Sequence, residues 1–319
     1  NLRSKSYESN PSRAAKLTVT YEEVSNGTST TTTTLPETRP NFVVILTDDQ
    51  RWDDFDSMPV VRSRLIGEGM NFTNGFVTTS LCCPSRSSFL TGQYVHNHGV
   101  WGNNAPSGGA PAFDDSSTVA VWLDNAGYTT SLMGKYLNDY ELISPYIPPG
   151  WDDWRVFSAN NGRYYSYKLN ENGVIVSYGS ADSDYSTDVL KAKAVNFIQT
   201  AQRPFFLVFT AYAPHGSGTG GVPQLPSRHA GTCNNLTISR APSFNEADVS
   251  DKPAAIRNLP LLTSSDIAAI DNRIKGRVCS LKSLDEAIDA MMNALGPELD
   301  NTVVIFTSDN GFLVGEHRI

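Results

Sequence analysis

Residues 41–47 read NFVVILT, an unbroken apolar run rich in β-branched side chains that stops at Asp48 and Asp49. A strand with one wet face would alternate polar and apolar residues, so a continuous run of this length fits a strand covered on both faces of a parallel sheet. Residues 302–307, TVVIFT, read as another buried strand and lead into Ser308, Asp309, Asn310 and Gly311. Between the two runs the periodicity alternates. Helical spacing is expected at residues 59–68, 84–91 and 118–126, the last stopped by Gly127 before a short strand at 128–133. A helix at 187–200 precedes a buried strand at 204–210, and 264–295 reads as one or two helices. Strands alternating with helices predict an α/β fold with a doubly wound, mostly parallel sheet flanked by helices. Residues 151–178, aromatic and hairpin-like, are expected to be an insertion, and 216–250 a loop-rich stretch near a site mouth.

The 319 residues carry a formal net charge of −8, with a pI near 5.1. A nucleic-acid or heparin footprint would show a Lys/Arg excess, so no nucleic-acid partner is expected, and an anionic substrate must be met by a few local cations. The longest apolar stretches, such as 205–209, are far too short to span a bilayer. Residues 1–39 read as a polar arm, with Thr30–Thr34 closed by Pro36, too poor in apolar area to order itself. Residues 40–319 read as the folded part. The chain opens at Asn1 with no Met and no apolar signal core, which fits either a processed terminus or a cut boundary. Sequons at Asn26, Asn71 and Asn235 are candidate N-glycan sites and suit a secretory route. Four irregularly spaced cysteines make no disulfide framework; at most one bridge is expected, and Cys233 with Cys279 is the pairing preferred.

Two strands end alike, and open α/β sheets place ligands outside the carboxyl ends of their strands. If 41–47 and 302–307 are neighbours, Asp48, Asp49, Asp309 and Asn310 converge. Three carboxylates and an amide form a hard oxygen cage suited to Ca²⁺, or to Mg²⁺, and poorly suited to Zn²⁺. Either strand end alone reads equally well as an Asp/Asn turn; the two together favour the metal.

The most specific stretch is Ser80–Gly92, SLCCPSRSSFLTG. Cys82, Pro84, Ser85 and Arg86, followed by Leu90, Thr91 and Gly92, resemble the signature of the type I sulfatases, members of the alkaline-phosphatase-like superfamily. The resemblance implies that Cys82 is oxidised to formylglycine by a formylglycine-generating enzyme during secretion, that its hydrated aldehyde attacks sulfur, and that it joins the metal ligands. It also implies a secreted or lysosome/vacuole-like location and residues 40–319 as the catalytic domain. Gly134, Lys135 and Tyr136 resemble the family's Gly-Lys-aromatic element, whose Lys binds sulfate; Ala213, Pro214 and His215 resemble its Pro-His element. The family continues past the Asp-Asn-Gly strand end to a further sulfate-binding Lys and a smaller C-terminal subdomain, neither of which lies before Ile319.

The residues support this placement in their own right. Pro84 suits the first turn of a helix, which would put Cys82 at an N-terminus whose N–H groups and dipole stabilise an oxyanion, with Arg86 one turn on along the same face. Cys83 reads as a buried small hydrophobe. Leu137 stands where many family members carry a His, which leaves His215 to protonate the leaving oxygen and Asn138 as a polar substrate contact. The Gly-Lys-Tyr-Leu-Asn run and the doubled cysteine resemble the arylsulfatase and N-acetylglucosamine-6-sulfatase branch. Sulfate-ester hydrolysis is thus the leading expectation. A formylglycine-dependent phosphodiesterase or phosphonate hydrolase, and a truncated non-catalytic paralogue, stay open. His96 and His98 read as structural, and His317 carries no assignment.

Overall fold

The computed structural model describes residues 39–159, 163–217 and 221–319, without the side chain of Asp56. All but the last residue of the expected polar arm, and the sequon at Asn26, lie outside the described residues. The described residues from 39 to 319 belong to one compact unit.

Seven strands make one mixed sheet: β1 (Asn41–Thr47), β2 (Thr129–Gly134), β3 (Asp153–Phe157), β4 (Lys168–Glu171), β5 (Val174–Ser177), β6 (Phe205–Thr210) and β7 (Thr302–Ser308), in the order β5-β4-β3-β2-β6-β1-β7. The five strands from β3 to β7 along this order are parallel, and β4 and β5 add an antiparallel edge. Helices cover the faces: α1 (Cys82–Thr91), α2 (Val95–His98), α3 (Val119–Asn125), α4 (Ser186–Thr200), α5 (Ala254–Arg257) and α6 (Ser264–Leu295). One core packs α4 and α6 against the sheet through Leu190, Phe197, Leu281, Leu284 and Ile288. The other packs α1 and the 136–140 turn through Cys83, Leu90, Tyr136 and Trp154. Residues 264–295 form a single helix, opened by a capping box between Thr263 and Asp266. The expected helix at 59–68 is shorter, a π-type turn at Val61–Ile66 whose N-terminal amides at Val60 and Val61 donate to the Asp285 carboxylate at 2.9 and 3.0 Å.

Two expectations are corrected. Residues 151–178 are not an insertion. They supply β3, a parallel strand of the main sheet beside β2, and the β4–β5 hairpin. The hairpin turns on Asn172 and Gly173, both at positive φ, and its short polar strands hide the fact that β3 before it is a sheet member. The other correction concerns β7, which is not buried like β1. It ends the sheet, and Val303 and Ile305 are each 43% exposed, because among the described residues no helix covers that face. The Cys233–Cys279 pairing is present and ties the 216–250 stretch to α6.

Candidate active site

The register of β1 and β7 places Thr47 opposite Ser308, so the chain leaves both strands at the same level. Asp309 therefore faces Asp48 and Asp49. The Asp49 amide donates to Asp309 Oδ1 at 3.0 Å, and Asn310 Nδ2 donates to Asp49 Oδ1 at 2.6 Å. Asp49 holds φ +66, a left-handed conformation that an Asp tolerates in a tight functional turn.

α1 brings the cysteine to this point. Gly92, at φ +66, ends the helix with a left-handed residue that tolerates no Cβ cheaply. At the other end, Cys82 Sγ lies 3.7 Å from Asp48 Oδ1, and donor atoms of Asp48, Cys82 and Asp309 fall within 4.8 Å of one another. The helix N-terminus is less open than the sequence implied. Asn103 Oδ1 accepts the Cys83 N–H at 2.9 Å, and Pro84 has no N–H to offer.

Arg86 is 2% exposed and braces the whole site. Its Nε donates to Asp309 Oδ2 at 2.8 Å, and Nη1 donates to the Lys135 carbonyl and to Thr210 Oγ1, each at 2.7 Å. Nη2 is buried without a hydrogen-bond partner, 3.8 Å from Asp48 Oδ1. Lys135 Nζ donates to both Asp48 oxygens, at 2.8 and 2.6 Å. Lys135 follows Gly134, where β2 and β6 approach so closely that a Cβ would stand 1.9 Å from the Thr210 carbonyl oxygen, at φ +117. Gly134→Ala is accordingly expected to cost about 3 kcal/mol by overpacking, read as a lower midpoint in urea unfolding, because both the backbone conformation and the strand spacing oppose it.

Burial works to raise the Asp48 carboxyl, but Lys135, His215 and Arg86 together hold it below the usual range. Burial raises Asp309 in spite of Arg86. Burial also pushes the Cys82 thiol up to about 12; Lys135 opposes this, and Asp48, Asp309 and Asp49 reinforce it. An unmodified thiol here is therefore a poor nucleophile near neutral pH.

β6 ends in Thr210, and the turn beyond it carries His215, whose Nε2 stands 3.6 Å from Asp49 Oδ2. The structure thus brings Asp48, Asp49, Cys82, Arg86, Lys135, His215, Asp309 and Asn310 together. It does not place Asn138 among them: the Asn138 side chain accepts from the Cys83 thiol at 3.5 Å, and its amide donates to that sulfur at 2.9 Å. His98 bonds Ser88 Oγ and the Val100 amide, each at 3.1 Å, as a structural histidine would; His96 is exposed and stacks on Tyr94. His317 pairs with Glu246. Thr210 and Asn103 went unnoticed in the sequence, since a lone Thr or Asn far along the chain from its partner gives no pattern. A cleft of about 460 Å³ beside α4, lined by Asp153, Arg155, Asp188 and Lys193 among others, shares no residue with the cluster. Its cations are already paired, Arg155 with Asp153 and Lys193 with Glu171.

A fold and a cluster of this kind define a doubly wound α/β protein with a group of acidic side chains that could hold a metal ion at the carboxyl ends of two adjacent strands. The Sulfatase family model matches residues 40–319, and the chain belongs to the sulfatase family. It is 35% identical to the extracellular sulfatase SULF-1 homolog of Drosophila melanogaster, 36% to an arylsulfatase of Volvox carteri and 35% to the N-acetylglucosamine-6-sulfatase of Homo sapiens. Each alignment covers 88% of this chain, but only 26%, 48% and 53% of the respective relative, so the chain spans about half of their length or less. Among solved structures, a protein in complex with its substrate D-glucosamine-2-N,6-O-disulfate aligns with TM-score 0.70 at 23% identity, covering 88% of this chain and 67% of that one. A phosphonate monoester hydrolase of Agrobacterium radiobacter aligns with TM-score 0.58 at 21% identity, covering 87% and 66%. At those identities the likeness is one of fold.

Proposed function

We propose that this site hydrolyses sulfate esters, with Cys82, oxidised to formylglycine, as the nucleophile and with residues 40–319 as the catalytic domain. The observation that carries the reading is the meeting of Cys82 with Asp48 and Asp309 at the tips of two adjacent strands, braced by Arg86 and Lys135. The donor set suits a divalent cation. Asp48, Asp49 and Asp309 supply hard oxygens, and Asn310 Oδ1 is buried with no hydrogen-bond partner, as a ligand oxygen would be. Three carboxylates face two permanent cations, an excess of one negative charge that would repel a sulfate ester; a dication reverses the sign. Ca²⁺ is the reading preferred over Mg²⁺, since carboxylate-rich, irregular oxygen sites favour the larger ion.

When held by Asp48, Asp49, Asp309 and Asn310, such a cation would supply Lewis acidity, polarising the sulfate and lowering the pKa of a hydroxyl on the hydrated aldehyde at position 82. The rest falls to the chain. Lys135 and Arg86 hold sulfate oxygens, and the unpartnered Arg86 Nη2 is the donor available for an oxygen at position 82. His215, when it carries a proton on Nε2 as well as the one that Nδ1 gives to the Gly216 carbonyl, passes the Nε2 proton to the ester oxygen as the S–O bond breaks. Asn138 supports this arrangement from behind, through Cys83, rather than by touching substrate. His215→Ala is expected to lower kcat for poorly activated esters by about 10²–10⁴-fold and to affect nitrophenyl sulfate far less, since a good leaving group needs little acid catalysis.

The relatives' names point to a carbohydrate 6-sulfate as the natural substrate class, with aryl sulfates as the convenient assay. The word extracellular in the Drosophila relative's name supports secretion, and no helix among the described residues is long and apolar enough to cross a membrane; the oxidation of Cys82 would make the formylglycine-generating enzyme a maturation partner. A panel of aryl sulfates, phosphonate monoesters and phosphate diesters tests the reaction class, and preference for the phosphorus esters would overturn it. Mass spectrometry of the Cys82 peptide, from protein secreted by a eukaryotic host, is expected to show the aldehyde in place of the thiol. An unmodified thiol there would favour the non-catalytic reading.

A further inference from the structure

We infer that Tyr212 is a positioning residue for His215: its ring fixes the imidazole in the orientation and tautomer that leave Nε2 facing the cluster. The chemical purpose of that arrangement rests on the role proposed for His215 above; the geometry does not. Tyr212 and His215 belong to one turn, closed by the His215 amide donating to the Tyr212 carbonyl at 2.9 Å. Their rings pack with centroids 4.7 Å apart at 34°. Both side chains then converge on a single acceptor. Tyr212 Oη donates to the Gly216 carbonyl at 3.2 Å, and His215 Nδ1 lies 2.7 Å from the same oxygen. A carbonyl oxygen carries no proton, so this short contact requires the proton on Nδ1, and neutral His215 keeps its lone pair on Nε2, the atom 3.6 Å from Asp49 Oδ2.

The tyrosine is itself held on several sides. Its ring meets Tyr164 at 5.2 Å and Phe157 at 6.3 Å, both edge-on, and the Arg163 guanidinium lies 5.5 Å from its centroid. Tyr164 Oη adds a hydrogen bond to the His215 carbonyl at 2.9 Å, which pins the backbone of the same turn. Lys135 Nζ lies 5.9 Å from the centroid of the Tyr212 ring, so the ring that packs on His215 also meets a cation assigned to the sulfate. An aliphatic side chain at 212 would fill space without offering the flat surface. The imidazole would then be free to rotate about its χ angles and exchange tautomers.

The test uses the full chain labelled with ¹⁵N-histidine, at a pH where the imidazoles are neutral. Long-range ¹H–¹⁵N correlation is expected to show His215 as the Nδ1–H tautomer in the wild type and in Tyr212→Phe, and a mixture gaining Nε2–H in Tyr212→Leu. Tyr212→Met takes the place of the leucine variant if the latter does not fold. In Tyr212→Leu or Tyr212→Met, and not in Tyr212→Phe, kcat for a poorly activated sulfate ester is expected to fall about tenfold with KM within about twofold, while Tyr165→Leu, which removes a ring packed on Tyr185, leaves both unchanged. A folded Tyr212→Leu or Tyr212→Met protein whose His215 keeps the wild-type tautomer would overturn the assignment. A wild type inactive on every sulfate ester, with the tautomer change intact, would instead sink the proposed reaction and leave the positioning role standing.

Discussion

Arg86→Lys is expected to reduce kcat by about 10²–10³-fold and to destabilise the fold measurably, although it conserves charge. The guanidinium reaches Asp309, the Lys135 carbonyl and Thr210 at once and keeps Nη2 unpartnered beside Asp48 and Cys82. An ammonium at that depth can satisfy one or two of these groups and cannot span the fork. Whatever it abandons stays buried: the Thr210 hydroxyl, the strand-end carbonyl, or the Asp309 carboxylate, itself 1% exposed. Breaking a buried ion pair by removing one partner costs about 3–5 kcal/mol, and a misplaced Lys should fall somewhat below that range. Urea unfolding and steady-state kinetics on nitrophenyl sulfate check the two effects separately. Wild-type kinetics in the lysine variant would mean that charge alone, rather than the fork, does the work.

Asp309→Asn is expected to have the other large effect, and its signature differs. The substitution is nearly isosteric, and the amide oxygen can still accept the Asp49 N–H now held at 3.0 Å. What it removes is one of three negative charges around the proposed cation and the partner of Arg86 Nε at 2.8 Å. Activity should fall by at least about 10²–10³-fold at low calcium and recover in part as calcium is raised, whereas no cation concentration should rescue Arg86→Lys. Calcium titrations of activity for the two variants, side by side, make the distinction. Loss without any calcium response in Asp309→Asn would place the cation elsewhere.

Much of this architecture was legible because its physical signals are local. An unbroken β-branched run followed by acids marks a buried strand delivering ligands, and β1 and the 302–308 stretch shared that mark before their pairing was known. Neighbouring placement was the step the sequence could only pose as a condition, since register between strands about 260 residues apart leaves no local trace. β7 shows where a local signal misleads: its composition is that of a covered strand, yet coverage depends on what packs against it, and Val303 and Ile305 remain half open. Residues 151–178 misled in the other direction. Their polar hairpin drew attention from β3, which is a sheet strand because Trp154 and Val156 are buried against β2.

The site divides the same way. Cys82, Arg86 and the acidic tips announced themselves by motif, whereas Asn103, Thr210 and Tyr212 act only through partners distant in sequence or through packing. Asn138, expected as a polar substrate contact, lies apart from the cluster for a related reason. Its position after Lys135 implied a pocket contact, but the chain turns there so that its side chain meets Cys83.

A single measurement bears on the central claim more directly than any variant: an anomalous-difference map from crystals of the secreted protein grown with calcium. One ion is expected at the carboxyl ends of β1 and β7, about 2.3–2.6 Å from oxygens of Asp48, Asp49, Asp309 and Asn310, with an oxidised carbon at position 82 beside it. An ion bound away from those strand ends, or a reduced sulfur at 82 turned from the carboxylates, would contradict it.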